Sequence, residues 1–170
     1  MKAKLIIEGK EIEIEISEEE YKKLQSEEEE KKTGYERVPE LDIYFYANSR
    51  GYVETCTEDY YSVDNEYYES ANYYSDKPVA ENNARADKLV RQLRRFAVEH
   101  RECGVNFNDT NTEKYYVYYD YKNDELGASF TFCARVFGVI YFDSEETANA
   151  AIDEFHDELI WYFTEYKDSL

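Results

Sequence analysis

The sequence predicts an α+β fold in which one antiparallel sheet is covered by two helices. Three observations indicate this fold: short strand-like segments separated by polar turns, two capped amphipathic helices, and a similar order of these elements in both halves of the chain. A chain of 170 residues is long enough to bury a core of its own. We therefore expect a main domain over residues 35–170, with halves 35–103 and 104–170, preceded by an extension over residues 1–32.

The N-terminal extension is predicted to be a ββα unit. Leu5–Ile7 and Ile12–Ile16 are strand-like and are joined at Glu8-Gly9, a short turn that contains glycine. The second strand alternates Ile and Glu, which indicates one covered face and one solvated face. Ser17 and Glu20 then have the spacing of a capping box at the start of a helix.

The first half of the main domain contains three predicted strands, separated by a polar turn and by an acidic loop over residues 58–66: Ile43–Ala47, Tyr52–Thr57 and Tyr67–Tyr74. A helix follows, capped by Ser75 or Asp76 and continuing to about His100. Its apolar residues recur every three or four positions, as in a helix that covers a core.

The second half repeats this order with three further predicted strands: Tyr115–Tyr121, Leu126–Ala134 and Val136–Phe142. Asp143 or Ser144 caps the last helix, and Asp143 and Glu146 have the spacing of a capping box. The apolar stripe from Ala148 to Tyr166 is the strongest helical pattern in the chain.

The two halves align at an offset of 68 residues, which relates Tyr73-Tyr74 to Tyr141-Phe142 and Ala80 to Ala148. Two explanations are open. The halves are either a duplicated βββα unit or two independent cases of a common way to cover one face of a sheet.

The net charge of −19 is unevenly distributed along the chain. Residues 33–74 carry nine acidic and two basic residues, and residues 143–170 carry nine and one. Residues 75–103 carry five acidic and seven basic residues. An acidic protein repels nucleic acid and anionic membranes and attracts basic surfaces, so we expect no direct nucleic-acid binding and no membrane partner.

The basic central helix and the acidic last helix are expected to pack side by side. The predicted ion pairs join three bases of the former to three acids of the latter: Lys88, Arg91 and Arg95 with Asp153, Asp157 and Glu158. The alternative is an exposed basic face that contacts a phosphate-bearing partner.

No motif of a catalytic, metal or cofactor site is recognisable. His100 and His156 belong to no metal-binding motif, and no glycine-rich phosphate loop is present. The three cysteines have no paired spacing and are expected to be buried free thiols: Cys56, Cys103 and Cys133. We therefore predict a non-enzymatic protein without metal or cofactor, in the cytoplasm.

The remaining candidate for function is an acidic surface that carries tyrosines. The segment Glu54–Ser70 alternates carboxylates with tyrosines, and the outer face of the last helix is acidic. Tyrosine supplies contact area, and carboxylates complement a basic partner or imitate the phosphates of nucleic acid. The candidate partner-binding residues are Glu58, Asp59, Tyr60, Tyr61, Asp64, Glu66, Asp153, Asp157 and Glu158. The alternative is a solvated acidic surface that only keeps the protein in solution.

Three segments carry a resemblance to a known group: KKTGYERV (31–38), AENNARADKLVRQLRRFA (80–97) and VIYFDSEETANAAIDEF (139–155). They resemble small acidic proteins encoded in phages and prophages of Gram-positive bacteria, in which a tyrosine-rich hairpin leads into YFxSEExA and a helix. The resemblance implies an anti-defence role, anti-CRISPR inhibition included, but it implies no particular site residue. The resemblance also implies that the protein acts in the cytoplasm of the bacterial host, and the expected partner is a host defence protein that handles nucleic acid.

Two other functions are compatible with the sequence. One is a virion structural or assembly protein in which the N-terminal hairpin pairs with another copy, giving a homo-oligomer. The other is a protein that sequesters a small signalling nucleotide in a tyrosine-lined pocket between helices and sheet.

Overall fold

The computed structural model describes the backbone of residues 2–7 and 10–15, and residues 17–18 and 32–167 in full. In chain order the elements are β1 Lys2–Ile7, β2 Lys10–Glu15, β3 Ile43–Ala47, β4 Val53–Thr57, α1 Ser62–Glu69, α2 Lys77–Glu99, β5 Lys114–Asp120, β6 Glu125–Thr131, α3 Glu145–Glu154 and α4 His156–Thr164. The α+β class is confirmed. Within these residues, the strands form three separate antiparallel hairpins, β1–β2, β3–β4 and β5–β6, instead of one continuous sheet.

The N-terminal hairpin has the predicted position. Leu5 pairs with Ile12 and Ala3 pairs with Ile14 across the antiparallel register. The turn at Glu8-Gly9 and the helix predicted to follow Ser17 lie outside the described residues.

Each hairpin of the main domain is extended by a third strand only one residue long. Phe45 and Tyr74 exchange two backbone hydrogen bonds of 2.9 Å each, and Tyr115 and Phe142 exchange two of 3.0 and 2.8 Å. The predicted third strands therefore shrink to single bridges, each directly before a helix. The two bridges sit at equivalent places in the two halves.

The helix starts are equivalent as well. The Asp76 side chain accepts a hydrogen bond from the Val79 amide at 2.9 Å, and the Ser144 hydroxyl accepts one from the Thr147 amide at 3.1 Å. These two caps are 68 residues apart, and so are two alanines that have no exposed surface: Ala80 and Ala148. The offset read from the sequence thus relates equivalent structural positions, with Asp76 and Ser144 as the caps.

A glycine turn precedes each hairpin, and in each half a carboxylate binds its amides. Glu36 accepts hydrogen bonds from the amides of Thr33 and Gly34 and from the hydroxyl of Ser75, which precedes the α2 cap. The amide of Thr33 contributes most to lowering the pKa of Glu36, which falls to about 2. The turn and the start of α2 are therefore held together by one ionised carboxylate.

In the second half, Asp143 has this role instead of capping α3. Its Oδ2 atom accepts from the amides of Glu102, Cys103 and Gly104 at 2.7, 3.0 and 3.2 Å. Burial opposes ionisation, but these three amides hold the pKa of Asp143 below its usual range. The carboxylate joins the turn after α2 to the start of α3.

The helices pack on their own hairpins and on each other. α2 contacts β3 and β4, α3 contacts β5 and β6, and α2 also contacts α3 and α4. The larger core lies where the helices and the second hairpin meet and contains Leu89, Leu93, Phe142, Ala148, Ala151 and Leu159. A smaller core of Tyr74, Val79 and Ala80 lies under the first hairpin.

Two elements differ from the sequence prediction. The acidic loop over 58–66 was expected to continue as a strand, but residues 62–69 form α1. The last helix was expected to be continuous, but it breaks at Phe155, whose backbone (φ −113°, ψ 22°) leaves helical geometry between α3 and α4.

Candidate binding surfaces

The carboxylate of Glu58 is buried in a network of hydrogen bonds. It has no exposed surface, and it accepts from Nε and Nη2 of Arg37 at 2.9 Å each and from the Tyr73 hydroxyl at 2.8 Å. The bonds from Arg37 are the main reason why the pKa of Glu58 falls to about 2. The Arg37 guanidinium in turn lies 4.6 Å from the ring centre of Tyr60 and 5.4 Å from that of Tyr68.

Asp64 is buried beside this network. Only 1% of it is exposed, and it accepts hydrogen bonds from the Tyr44 hydroxyl at 2.8 Å and from the Tyr61 amide at 2.9 Å. The rings of Tyr44 and Tyr73 stack with their centres 4.1 Å apart, which links Asp64 to Glu58. Burial raises the pKa of the Tyr44 hydroxyl, so it stays protonated and continues to donate.

The structure therefore corrects the prediction for Glu58 and Asp64, two of the nine candidate partner-binding residues. Their carboxylates are bonded inside the protein and are not available to a partner. Glu58 instead positions a neighbouring residue, because its carboxylate also accepts a hydrogen bond from the Tyr60 amide at 2.9 Å. That bond holds Tyr60 in the left-handed region (φ 54°), which is uncommon for a residue with a side chain.

The other candidates of this segment are exposed. We call Asp59, Tyr60, Tyr61, Glu66 and Glu69 the α1 surface. Half of Tyr60 and 68% of Tyr61 is exposed to solvent, and the three carboxylates are exposed as well. Glu69 was part of the acidic segment in the sequence, but it was not selected as a candidate. Its exposure follows from the helical geometry of α1.

The α3–α4 surface is the second acidic region. Residues 145–164 contain six carboxylates and no Lys or Arg. Asp153 is exposed, and the Asp157 side chain is fully exposed, with Oδ1 3.2 Å from Nδ1 of His156. Both candidates therefore face solvent.

Glu158 has a structural contact. Its carboxylate accepts from Nε and Nη2 of Arg85 at 2.8 and 3.2 Å, and the same guanidinium lies 3.9 Å from the ring centre of Trp161. This contact joins α2 to α4. Glu158 is a weaker candidate for partner binding than Asp153 and Asp157, because a partner would compete with Arg85.

The predicted pairing of three bases with three acids is wrong. Arg85, which was not selected, makes the contact to Glu158. Arg95 pairs within α2 with Glu99 at 3.8 Å, and Lys88 and Arg91 lie beside Gly51 in the β3–β4 turn. The basic face of α2 thus points to the first hairpin and to solvent instead of to the acidic helices.

A cavity of about 310 Å³ lies between α2, β5, residues 137–140 and α4. Its lining includes Leu89, Leu93, Phe142 and Leu159 of the larger core and contains no charged residue. A phosphate-bearing ligand would find no cation there, so this cavity does not fit a signalling nucleotide.

The described residues offer no metal site and no membrane span. No group of three or more His, Cys, Asp or Glu side chains in residues 32–167 is arranged to hold a metal ion. Within the same described part of the chain, no helix has both the length and the apolarity needed to cross a bilayer. The three cysteines are free, but the expected burial is wrong, since Cys56 is only half-buried and Cys103 and Cys133 are exposed.

Comparison with known proteins finds no match to any family model, any curated protein or any solved structure. The resemblance to phage and prophage proteins therefore stays a prediction.

Proposed function

We propose that this protein is a non-enzymatic inhibitor that binds a host defence protein through its exposed carboxylates and tyrosines. The observation that carries the proposal is the α3–α4 surface. Of its six carboxylates, only Glu158 has a Lys or Arg partner among the described residues. The other five are Glu145, Glu146, Asp153, Glu154 and Asp157, a concentration of negative charge that a basic partner would neutralise.

The α1 surface adds contact area to this charge. Tyr60 and Tyr61 are large side chains that lose little conformational freedom on binding, and tyrosine is enriched among residues that dominate binding energy. The buried Glu58 holds Tyr60 through its amide, so this part of the surface is positioned before a partner arrives.

The class of partner follows from the sign of the charge. Proteins that handle nucleic acid carry basic grooves, and spaced carboxylates can occupy a groove built for phosphates. The resemblance to phage and prophage proteins favours a host defence effector among such partners. Binding of this kind weakens steeply with salt, because exposed charges are screened over about 8 Å at physiological ionic strength.

The test is affinity capture from a bacterial lysate with elution in rising salt, followed by titration of the identified partner. Two triple variants reverse charge on one surface each: Asp153→Lys, Glu154→Lys and Asp157→Lys, or Asp59→Lys, Glu66→Lys and Glu69→Lys. Glu58, Asp64 and Glu158 stay unchanged because their carboxylates hold the structure together. A matched control reverses three exposed carboxylates outside both surfaces: Glu40→Lys, Glu102→Lys and Glu125→Lys.

All three variants change the net charge by the same amount, so they separate a specific surface from overall acidity. We expect a nucleic-acid-handling partner whose activity the protein inhibits, and whose affinity falls on the order of 100-fold in at least one surface variant, since like charges brought together cost several kcal/mol. The control should stay within about threefold of the wild type. Wild-type affinity in both surface variants would contradict the proposal. So would a loss of affinity in the control as large as the loss in the surface variants.

A further inference from the structure

A groove of about 400 Å³ lies between the β3–β4 turn and the basic face of α2. Its lining includes Tyr52 from the hairpin and four charged residues from α2, the cations Lys77, Arg85 and Lys88 and the carboxylate Glu81. The chain as a whole has a net charge of −19, so a groove with three cations and one carboxylate is a local exception. Neither acidic surface includes any of its residues.

Arg91 lies at the edge of this groove because residue 51 is glycine. A Cβ atom at this position would be 3.1 Å from Nη2 of Arg91 and 3.9 Å from Cβ of Lys88. The backbone of Gly51 also has φ +82°, which favours glycine. The Arg91 guanidinium therefore lies against the turn, in space that a side chain would occupy.

The cations of the groove differ in whether a carboxylate already neutralises them. Lys77 lies 3.3 Å from Glu81, and Arg85 is held by Glu158. Lys88 and Arg91 form no ion pair within the described part of the chain. These two charges are thus open to an anionic ligand.

In the second half of the chain, the positions at the same offset carry no Lys or Arg. Sixty-eight residues after Lys88 and Arg91 stand His156 and Leu159. Seventy residues after Gly51, the offset that relates Phe45 to Tyr115, stands Tyr121, whose hydroxyl donates to the Phe163 carbonyl at 2.7 Å. The equivalent turn is closed onto α4, whereas the turn of the first half leaves an open, basic groove.

We propose that this groove binds a small phosphate-bearing ligand with an aromatic ring, of the nucleotide class. The phosphates lie between Lys88 and Arg91, where the planar guanidinium donates two parallel hydrogen bonds. The ring stacks on Tyr52, 67% of which is exposed at the groove. The proposal does not depend on the acidic surfaces, and it places the nucleotide in this groove and not in the apolar cavity.

Isothermal titration at low salt tests the proposal with three probes: ATP without divalent metal, pyrophosphate and adenosine. The wild type should bind ATP more tightly than pyrophosphate, and pyrophosphate more tightly than adenosine. Lys88→Gln with Arg91→Gln should raise the Kd for ATP and pyrophosphate at least about tenfold. The matched control, Arg94→Gln with Arg101→Gln, makes the same charge change at exposed positions outside the groove and should stay within about twofold.

Tyr52→Leu separates stacking from charge. This substitution should weaken the binding of ATP about tenfold and leave the binding of pyrophosphate unchanged, because of these two probes only ATP carries an aromatic ring. Absence of ATP binding by the wild type at millimolar concentration would overturn the proposal. So would an equal loss in both Gln double variants, since that pattern reports overall charge and not a site.

Discussion

Replacing Glu58 by Gln removes one charge from the buried network and leaves Arg37 without its partner. Gln keeps the shape and can still accept the Tyr73 hydroxyl, but its amide group places a donor against the donors of the guanidinium. Breaking a buried ion pair in this way costs about 3–5 kcal/mol. The Arg37 side chain is 25% exposed, so water can solvate part of its charge, and we expect the lower end, about 3 kcal/mol.

This loss is large against the free energy of unfolding of a single domain, which is about 5–15 kcal/mol. Urea denaturation followed by far-UV circular dichroism measures the loss in the free energy of unfolding. In thermal denaturation, the Tm should fall by about 6–12 °C. Glu66→Gln is the control, since it makes the same change at an exposed carboxylate of α1 and should cost less than about 0.5 kcal/mol. A loss below 1 kcal/mol for Glu58→Gln would refute the assignment of Glu58 as a structural residue.

Three further predictions concern stability. Lys114→Met removes a buried ammonium that donates to three backbone carbonyls, and leaving these unpaired should lower the free energy of unfolding by about 1–3 kcal/mol in the same urea assay. Gly34→Ala places a Cβ atom 2.7 Å from Cγ2 of Val79 at φ +89° and should cost more, in thermal denaturation, than Gly138→Ala, where φ is +81° and no atom lies within 4 Å. Since the pKa of Glu36 is about 2 when folded and near 4.5 when unfolded, the unfolded chain binds more protons between these values. Urea midpoints should therefore fall as the pH is lowered from 4.5 towards 2, and the fall should be smaller in Glu36→Gln, because Glu58 has a similarly lowered pKa and contributes in both proteins. An equal fall in both proteins would contradict the hydrogen bonds assigned to Glu36.

Local signals account for what the sequence predicted correctly. Asp76 and Ser144 cap helices because a short acceptor followed by a helix-forming segment acts within four residues of the chain. The 68-residue offset between the halves relates Ala80 to Ala148, and the structure buries both completely. Such features depend on neighbours in the sequence, and the sequence displays them directly.

The incorrect predictions concern features that depend on residues distant in the sequence. Glu58 and Asp59 are adjacent, yet one is fully buried and the other is exposed, because Arg37 lies 21 residues before Glu58 and reaches only that carboxylate. α1 has few apolar residues. It is anchored to the protein by its buried residue Asp64, which accepts a hydrogen bond from the hydroxyl of Tyr44, twenty residues away in the sequence. Neither contact has a periodic pattern, so an acidic segment was predicted as a loop with every carboxylate exposed.

The helices of the two halves differ in the sign of their charge, which the net charge of the chain does not reveal. α2 follows the first hairpin and carries six bases and three acids, whereas α3 and α4 follow the second hairpin and carry six acids and no Lys or Arg. The helices that follow the two hairpins thus have opposite charge. Packing does not require this difference, since a single ion pair between Arg85 and Glu158 joins α2 to α4, while Lys88 and Arg91 stay unpaired within the described residues. The two proposals assign ligands of opposite sign to these helices, an anionic small molecule to α2 and a basic protein to α3–α4, so each ligand would meet the helix whose charge complements its own.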